Sequence, residues 1–383
     1  MNSKLPKHER HLFLYLKTGG GHAAPARAVA AALQSAHPGT VEPLLADGLA
    51  ESPRFVRLLI EDGYRLLQAR ARWYYALIYF LNKIPPVAWC NALLVSFFVR
   101  PYLEGLIREG RPEKIVIFHF LLIRPVREAL RRTGHQASTL VVVTDPFTAH
   151  PFWFHDRQQR FIVFSERLRL FCRSRGIPDD HIAVFPFIIS DKFSATASAD
   201  RSTEMKLRIG VDPAARLVLI AGGADGIPNG YRIVRHLLQR HPSYSIAIVC
   251  GNNRRLRDRL LDLCRRTGSE RLKVFGYVDN IHELLQAADI VITKCGASMC
   301  MEILLSNRIP VVSSYLWEQE KGNMEFLTSG EMGIYQPRPA QIPTVIERLF
   351  SDPGMLDRMK SNIASLRMES GTAAVADYIF CFS

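Results

Sequence analysis

The sequence predicts an α/β protein built from two doubly wound, Rossmann-like domains. Two observations carry this prediction. The chain has 383 residues, more than a single hydrophobic core usually serves. Along it, short apolar strand-like runs alternate with helix-like segments across loops of glycine or polar residues, which is the rhythm of a parallel sheet. In such sheets ligands gather at the carboxyl ends of the strands.

The first unit is the strand His11–Leu16 (HLFLYL), the loop Lys17–His22 (KTGGGH) and the Ala-rich helix Ala23–Ala36. Strands are expected at Lys114–Phe118, Thr139–Thr144, Arg160–Phe164 and Ile182–Phe185, with a helix at Arg124–Arg132. They make an N-terminal domain over 1–192. From Asp191 the composition turns small and polar without periodicity, so 193–213 reads as a linker. A second series follows: strands Arg216–Ala221, Tyr244–Val249, Lys273–Phe275, Ile290–Thr293 and Ile309–Tyr315, interleaved with helices Tyr231–Arg240, Arg254–Arg266, Ile281–Ala288 and Ser298–Ser306. This is a C-terminal domain over 214–350. The helices of 351–383 are expected to pack back toward the N-terminal domain.

Composition narrows the function classes. A net charge of +13 with 48% hydrophobic residues puts excess positive charge on a folded surface, and excludes a disordered basic tail. Anionic lipid, phosphorylated substrate and nucleic acid all fit the charge, but no nucleic-acid motif accompanies it. The seven cysteines show no CxxC pair and no zinc spacing, so they read as reduced thiols and no metal is expected. The N-terminus lacks the apolar run of a signal peptide. The most apolar stretch, Trp73 to Val99, is interrupted by Asn82, Lys83, Pro85, Pro86 and Asn91, which leaves no expected membrane-spanning helix.

The loops carry the candidate chemistry. Glycines in KTGGGH, among them Gly20 and Gly21, let a ligand approach the backbone at a helix start, although neither a P-loop nor GxGxxG is present. His22, at that helix start, is a candidate base for a hydroxyl nucleophile. Asp145, His150 and Trp153 follow another inner strand and are candidates for acceptor contacts or for plain packing. In the second domain Gly222, Gly223 and Gly226 form a glycine loop before a helix. Lys294, Gly296, Ala297 and Ser298 end a strand and open a helix, a place to neutralise a diphosphate. Glu302 lies one turn further, and Gln319, Glu320 and Asn323 follow the next strand in the cluster Glu318–Asn323, suited to sugar hydroxyls. Arg54, Arg57, Arg65, Arg70 and Arg72 run into Trp73-Tyr74-Tyr75, a mixture of cations and interfacial aromatics suited to an anionic bilayer.

FGYVDN, AADIVITKCG, the Glu eight residues after Lys294 and EQEKGN resemble the donor half of lipid-directed glycosyltransferases. That family includes plant monogalactosyldiacylglycerol synthase and bacterial processive diacylglycerol glucosyltransferase, with the peptidoglycan enzyme MurG more distant. TGGGH and the TD…H…W segment match the acceptor half in the same order, so the resemblance runs from about Leu12 to Ile334. It implies the GT-B fold, two Rossmann-like domains facing across a cleft, and inverting, metal-independent transfer from a UDP-hexose to diacylglycerol or a similar lipid at the cytoplasmic membrane face, by a peripheral protein with no tightly bound cofactor. It also implies His22 as base, Glu302 on the ribose, Gln319 and Glu320 on the sugar, Gly222, Gly223 and Lys294 at the diphosphate, and Gly276-Tyr277-Val278 beside the uracil. The chain departs from the family at Ala297-Ser298-Met299, at Phe185-Pro186-Phe187-Ile188 and at Leu316-Trp317-Glu318. Alternatives on the same fold are a UDP-sugar 2-epimerase indifferent to lipid and a non-catalytic member.

Overall fold

The computed structural model describes residues 8–17, 20–63, 77, 79–193 and 199–382. The chain divides into two compact units, Met1–Ile188 with Ser370–Ser383, and Ile189–Glu369.

The first unit is a six-stranded sheet of β1 (Glu9–Tyr15), β2 (Val41–Asp47), β3 (Lys114–Ile117), β4 (Ser138–Val142), β5 (Arg160–Val163) and β6 (Ile182–Val184), in the order β2-β1-β3-β4-β5-β6. Every pairing is parallel, so all carboxyl ends share one edge. After β2 the chain crosses to the other side of β1 to add β3, and the strand order reverses between β1 and β3. Parallel strands are apolar on both faces: Leu12, Leu14, Ile115, Ile117, Val141 and Phe161 fill the core. Ala23, Ala26, Val29, Ala30 and Leu33 lay one stripe of the helix Gly20–Ala36 against it.

The terminal helix Thr372–Cys381 belongs to this unit and packs on Gly20–Ala36. Lys114 Nζ donates to the Phe380 carbonyl, and the His37 ring stacks on Phe380 at 3.6 Å. Gly371 makes the entry possible: its N–H donates to Phe187 O, and a Cβ there would stand 1.8 Å from the Pro186 oxygen. The other tail helix, Pro353–Ser365, stays with the second unit.

The second unit repeats the plan with β7 (Leu217–Ala221), β8 (Ser245–Val249), β9 (Leu272–Phe275), β10 (Ile290–Lys294), β11 (Ile309–Ser314) and β12 (Ile334–Tyr335), ordered β12-β11-β10-β7-β8-β9 and parallel throughout. Its order reverses between β7 and β10.

Two expectations are corrected here. The stretch read as linker, 193–213, carries the helix Ala199–Arg208, which packs on Ile281–Ala287 in the second unit. The stretch read as too interrupted to span a bilayer, Trp73 to Val99, runs into one continuous helix, Pro85–Gly110, of which Pro86–Gly110 is long and apolar enough by length and composition to cross one. Pro85 and Pro86 sit in its first turn, where the missing N–H costs nothing. Its later part is a core element: Val99, Leu103 and Ile107 are fully buried, and Arg100 pairs with Glu104 and Glu128. Its earlier part leaves Trp89, Leu94 and Phe97 exposed. Of the basic and aromatic segment, Arg65, Arg70, Arg72 and Trp73-Tyr74-Tyr75 lie outside the described residues.

Candidate active site at two strand-order reversals

In the first unit the loop after β1 and the loop after β3 flank the reversal, where open α/β sheets bind ligands. His22, in the first turn of Gly20–Ala36, and Phe118-His119, just beyond β3, meet there. His22 Nδ1 is 2.8 Å from the Phe118 carbonyl oxygen and 2.8 Å from Thr144 Oγ1. A carbonyl oxygen only accepts, so the network assigns the proton to Nδ1. Nε2 then carries the lone pair, and it makes no hydrogen bond among the described residues. Burial pushes the His22 pKa down to about 4, against which the Phe118 carbonyl raises it. The ring is neutral at physiological pH and able to accept a proton. Gly20 and Gly21 precede it, and a Cβ at either would meet nothing within 4 Å; their missing side chains leave open room rather than relieving an internal clash.

Two proposed acceptor contacts have other roles. Trp153 is fully buried, and its indole N–H donates to Asp145 Oδ2 at 3.2 Å, so it braces Asp145. His150 has both ring nitrogens engaged, Nδ1 accepting from the Phe152 N–H and Nε2 3.2 Å from the Tyr79 carbonyl. It packs the aromatic floor. His119 is the residue the sequence reading missed; it lies 4.5 Å from His22 between ring centroids. The signal for it was a polar residue directly after the apolar run Ile115–Phe118.

In the second unit the reversal is flanked by the loops after β7 and β10. Gly222 has no room for a side chain, because a Cβ would lie 2.5 Å from the Gly226 oxygen, and Gly223 has φ +85°. Lys294 Cε would be 3.9 Å from a Cβ at Gly223 and at Gly296, and Glu320 Oε1 would be 3.7 Å from one at Gly296. Gly223, Lys294, Gly296 and Glu320 therefore converge. Gly296 begins the helix Ala297–Leu305 with no side-chain cap, so the amides around Ala297 and Ser298 face the reversal as anion donors. Glu302 sits one turn in, and burial pushes its pKa up to about 7.

The helix Trp317–Ser329 carries Gln319, Glu320 and Asn323. Glu320 Oε2 accepts from the Leu316 N–H at 2.6 Å. Asn323 is buried and its Nδ2 donates to the Cys295 carbonyl, so it ties this helix to the β10 loop, while its Oδ1 has no hydrogen-bond partner among the described residues. Tyr277, exposed, and Val278 follow β9 at the sheet's edge. No group of three His, Cys, Asp or Glu suited to a metal occurs among the described residues.

Comparison with known proteins gives this geometry a family. The model described as monogalactosyldiacylglycerol (MGDG) synthase matches residues 22–188, beginning at His22, and that of the glycosyltransferase family 28 C-terminal domain matches 217–369. The chain belongs to the glycosyltransferases of this family. Among its relatives is the chloroplastic monogalactosyldiacylglycerol synthase of Spinacia oleracea, 24% identical over 352 residues, 89% of this chain and 66% of that one. The processive diacylglycerol beta-glucosyltransferase of Bacillus subtilis is 26% identical over 277 residues, 72% of this chain and 71% of that one. The chain thus aligns with roughly two thirds of the spinach protein's length.

Solved structures agree on the GT-B fold of these glycosyltransferases. The Anabaena protein HepE in complex with UDP-glucose has a TM-score of 0.60 at 14% identity, covering 97% of this chain and 98% of that one. The UDP-GlcNAc 2-epimerase of Neisseria meningitidis bound to UDP-GlcNAc has 0.61 at 11% identity, covering 97% and 98%. Because transferase and epimerase fit equally well, the fold does not discriminate between them, and the sequence family does.

Proposed function

We propose that this protein is an inverting glycosyltransferase that moves a hexose from a UDP-sugar to diacylglycerol or a closely related lipid alcohol. The observation that carries the reading is the neutral His22 at the strand-order reversal of the unit matching monogalactosyldiacylglycerol synthase, its Nε2 lone pair without a partner among the described residues. In the transfer, the acceptor hydroxyl gives its proton to His22 Nε2 as its oxygen bonds to the anomeric carbon. The bond from that carbon to the diphosphate breaks, and UDP leaves with the electron pair. The Phe118 carbonyl behind Nδ1–H supports the charge the ring gains. Lys294 and the amides of Gly296 to Ser298 hold the diphosphate without a metal, Gly222 and Gly223 let it approach, Glu302 takes the ribose, and Gln319 and Glu320 the hexose.

A diacylglycerol acceptor stays in its bilayer, so the protein goes to it as a peripheral protein on the cytoplasmic face. The contact surface we assign is the apolar face of the first unit, where Phe55, Leu59, Phe80, Trp89, Leu94 and Phe97 are each more than half exposed. A face of this kind, with Arg54 and Arg57 beside Phe55, suits an anionic interface.

The test is UDP release by the purified protein with a panel of UDP-sugars, with and without anionic liposomes containing diacylglycerol. Release only with lipid, accompanied by a glycosylated lipid product, is expected. Lipid-independent conversion of the sugar nucleotide would replace this reading with the epimerase.

A further inference from the structure

His119 stands beside the proposed base and has no part in the mechanism above. It is the residue after Phe118, so one turn of chain at the end of β3 supplies both the carbonyl that fixes His22 and the imidazole that faces it. The His119 ring is 4% exposed. It lies edge-on to His22, 4.5 Å between centroids, and stacks on Phe120 at 4.6 Å. Its Nδ1 accepts the Leu121 N–H at 3.2 Å, so that nitrogen carries a lone pair. Burial and the neighbouring His22 hold its pKa well below the ordinary histidine value, which keeps the ring neutral. A neutral ring with a lone pair on Nδ1 has its proton on Nε2.

The two histidines are therefore opposite in kind. His22 offers a lone pair at Nε2, whereas His119 offers an N–H at Nε2, and neither atom has a hydrogen-bond partner among the described residues. Neither Nε2 is among the fully enclosed polar atoms that lack a partner among the described residues, so this donor remains open to a ligand beside His22 although the residue is 4% exposed. A single hydroxyl needs only His22. A second donor this close to His22, 4.5 Å between ring centroids, suits an oxygen acceptor beside that hydroxyl on the same molecule.

We propose that His119 is a specificity-determining contact to the lipid acceptor, its Nε2–H donating to an ester oxygen of the glycerol backbone next to the hydroxyl that His22 deprotonates. The inference rests on the lipid-acceptor reading above and names the chemical feature that reading leaves open. It makes the protein selective for acylated over ether-linked glycerol, because the ether analogue lacks the carbonyl.

The experiment compares 1,2-diacylglycerol with 1,2-dialkylglycerol of equal chain length in mixed micelles, using the active UDP-sugar, for the wild type, His119→Phe and His119→Gln. The glutamine amide places an N–H near the position of the imidazole Nε2. Expected is a kcat/KM about 3- to 10-fold higher for the diacyl acceptor in the wild type, the usual worth of one neutral hydrogen bond. His119→Gln keeps most of that preference, whereas His119→Phe removes it with an unchanged KM for the UDP-sugar. A wild type that uses both acceptors equally overturns the proposal, even if His119→Phe does not fold. So does a His119→Phe variant that keeps the preference, or a His119→Gln variant as indifferent as His119→Phe. Wild-type protein that releases no UDP with either lipid overturns the lipid-acceptor reading itself, and this inference with it.

Discussion

His22 Nδ1 lies 2.8 Å from the carbonyl oxygen of Phe118, with Thr144 Oγ1 at the same distance. A main-chain carbonyl thus holds the orienting position behind the imidazole. It fixes the tautomer as firmly as a carboxylate would, but brings no full charge to raise the basicity of the ring.

Replacing His22 by alanine is expected to lower kcat by about 10²- to 10⁴-fold, the range of a lost general base, while UDP binding measured by calorimetry stays near the wild-type value. Equal losses of turnover and UDP affinity would remove His22 from the base role.

The pKa of about 4 at His22 sets the acid side of the pH profile. With UDP-sugar saturating at every pH, kcat should hold nearly level from pH 8 to pH 6 and decline only as the ring protonates nearer its own value. A midpoint at 6.5, the ordinary histidine value, would contradict the buried, neutral ring.

Stability should follow the same group with a definite sign. The unfolded imidazole takes up its proton near 6.5, whereas the folded one does so near 4, so between these values the unfolded state binds more protons. The folded state is undiminished above pH 6.5 and loses up to about 3 kcal/mol as pH falls toward 4. Denaturation midpoints from pH 7.5 to 4.5 should therefore decline less steeply in His22→Gln than in the wild type.

Glu302, with its pKa raised to about 7 by burial, is half neutral at physiological pH in the free protein. If the carboxylate receives ribose hydroxyls, UDP affinity should rise from pH 6 to pH 8, and Glu302→Gln should bind about 10-fold more weakly with no such slope, as titration calorimetry across that range would reveal. For stability the sign is opposite to that of His22: the folded pKa exceeds the unfolded one, so this carboxyl disfavours the fold as pH rises from about 4.5 through 7.

Gly222→Ala places a Cβ 2.5 Å from the Gly226 oxygen and must displace the loop after β7. UDP affinity should fall at least 10-fold, with a destabilisation of about 1–3 kcal/mol. By contrast, Phe97→Glu alters a side chain that is 65% exposed. It should leave the melting temperature within a degree or two and reduce cosedimentation with anionic liposomes several-fold.

Much of the fold was legible because a buried parallel strand is an almost unbroken apolar run, as in Leu217–Ala221 and Ser245–Val249. The strand β2 was not: Val41–Asp47 is VEPLLAD, an edge strand whose polar residues and Pro43 imitate a loop. The helix Pro85–Gly110 was hidden by prolines that look like breaks until they are placed in its first turn. At the site, Gly222 and Lys294 were readable because they stand at the carboxyl ends of strands, and His22 because three glycines mark the turn from strand to helix just before it. Trp153 and His150 sit in equally suggestive positions, and only burial and hydrogen bonding identify them as braces. His119 was overlooked because its meaning depends on which strand lies beside β1, and strand order is a property of the sheet rather than of any local segment.

The last fourteen residues complete the first unit, with Gly371 threaded against Pro186 and Phe380 held by Lys114. During synthesis this unit waits for its final helix while the whole intervening unit is translated, about ten to forty seconds at ordinary ribosomal rates. For that interval the helix face Gly20–Ala36 that will receive it is uncovered on the nascent chain. Premature termination anywhere after Ile188 would leave the half containing His22 without its closing helix, however well the other half had folded.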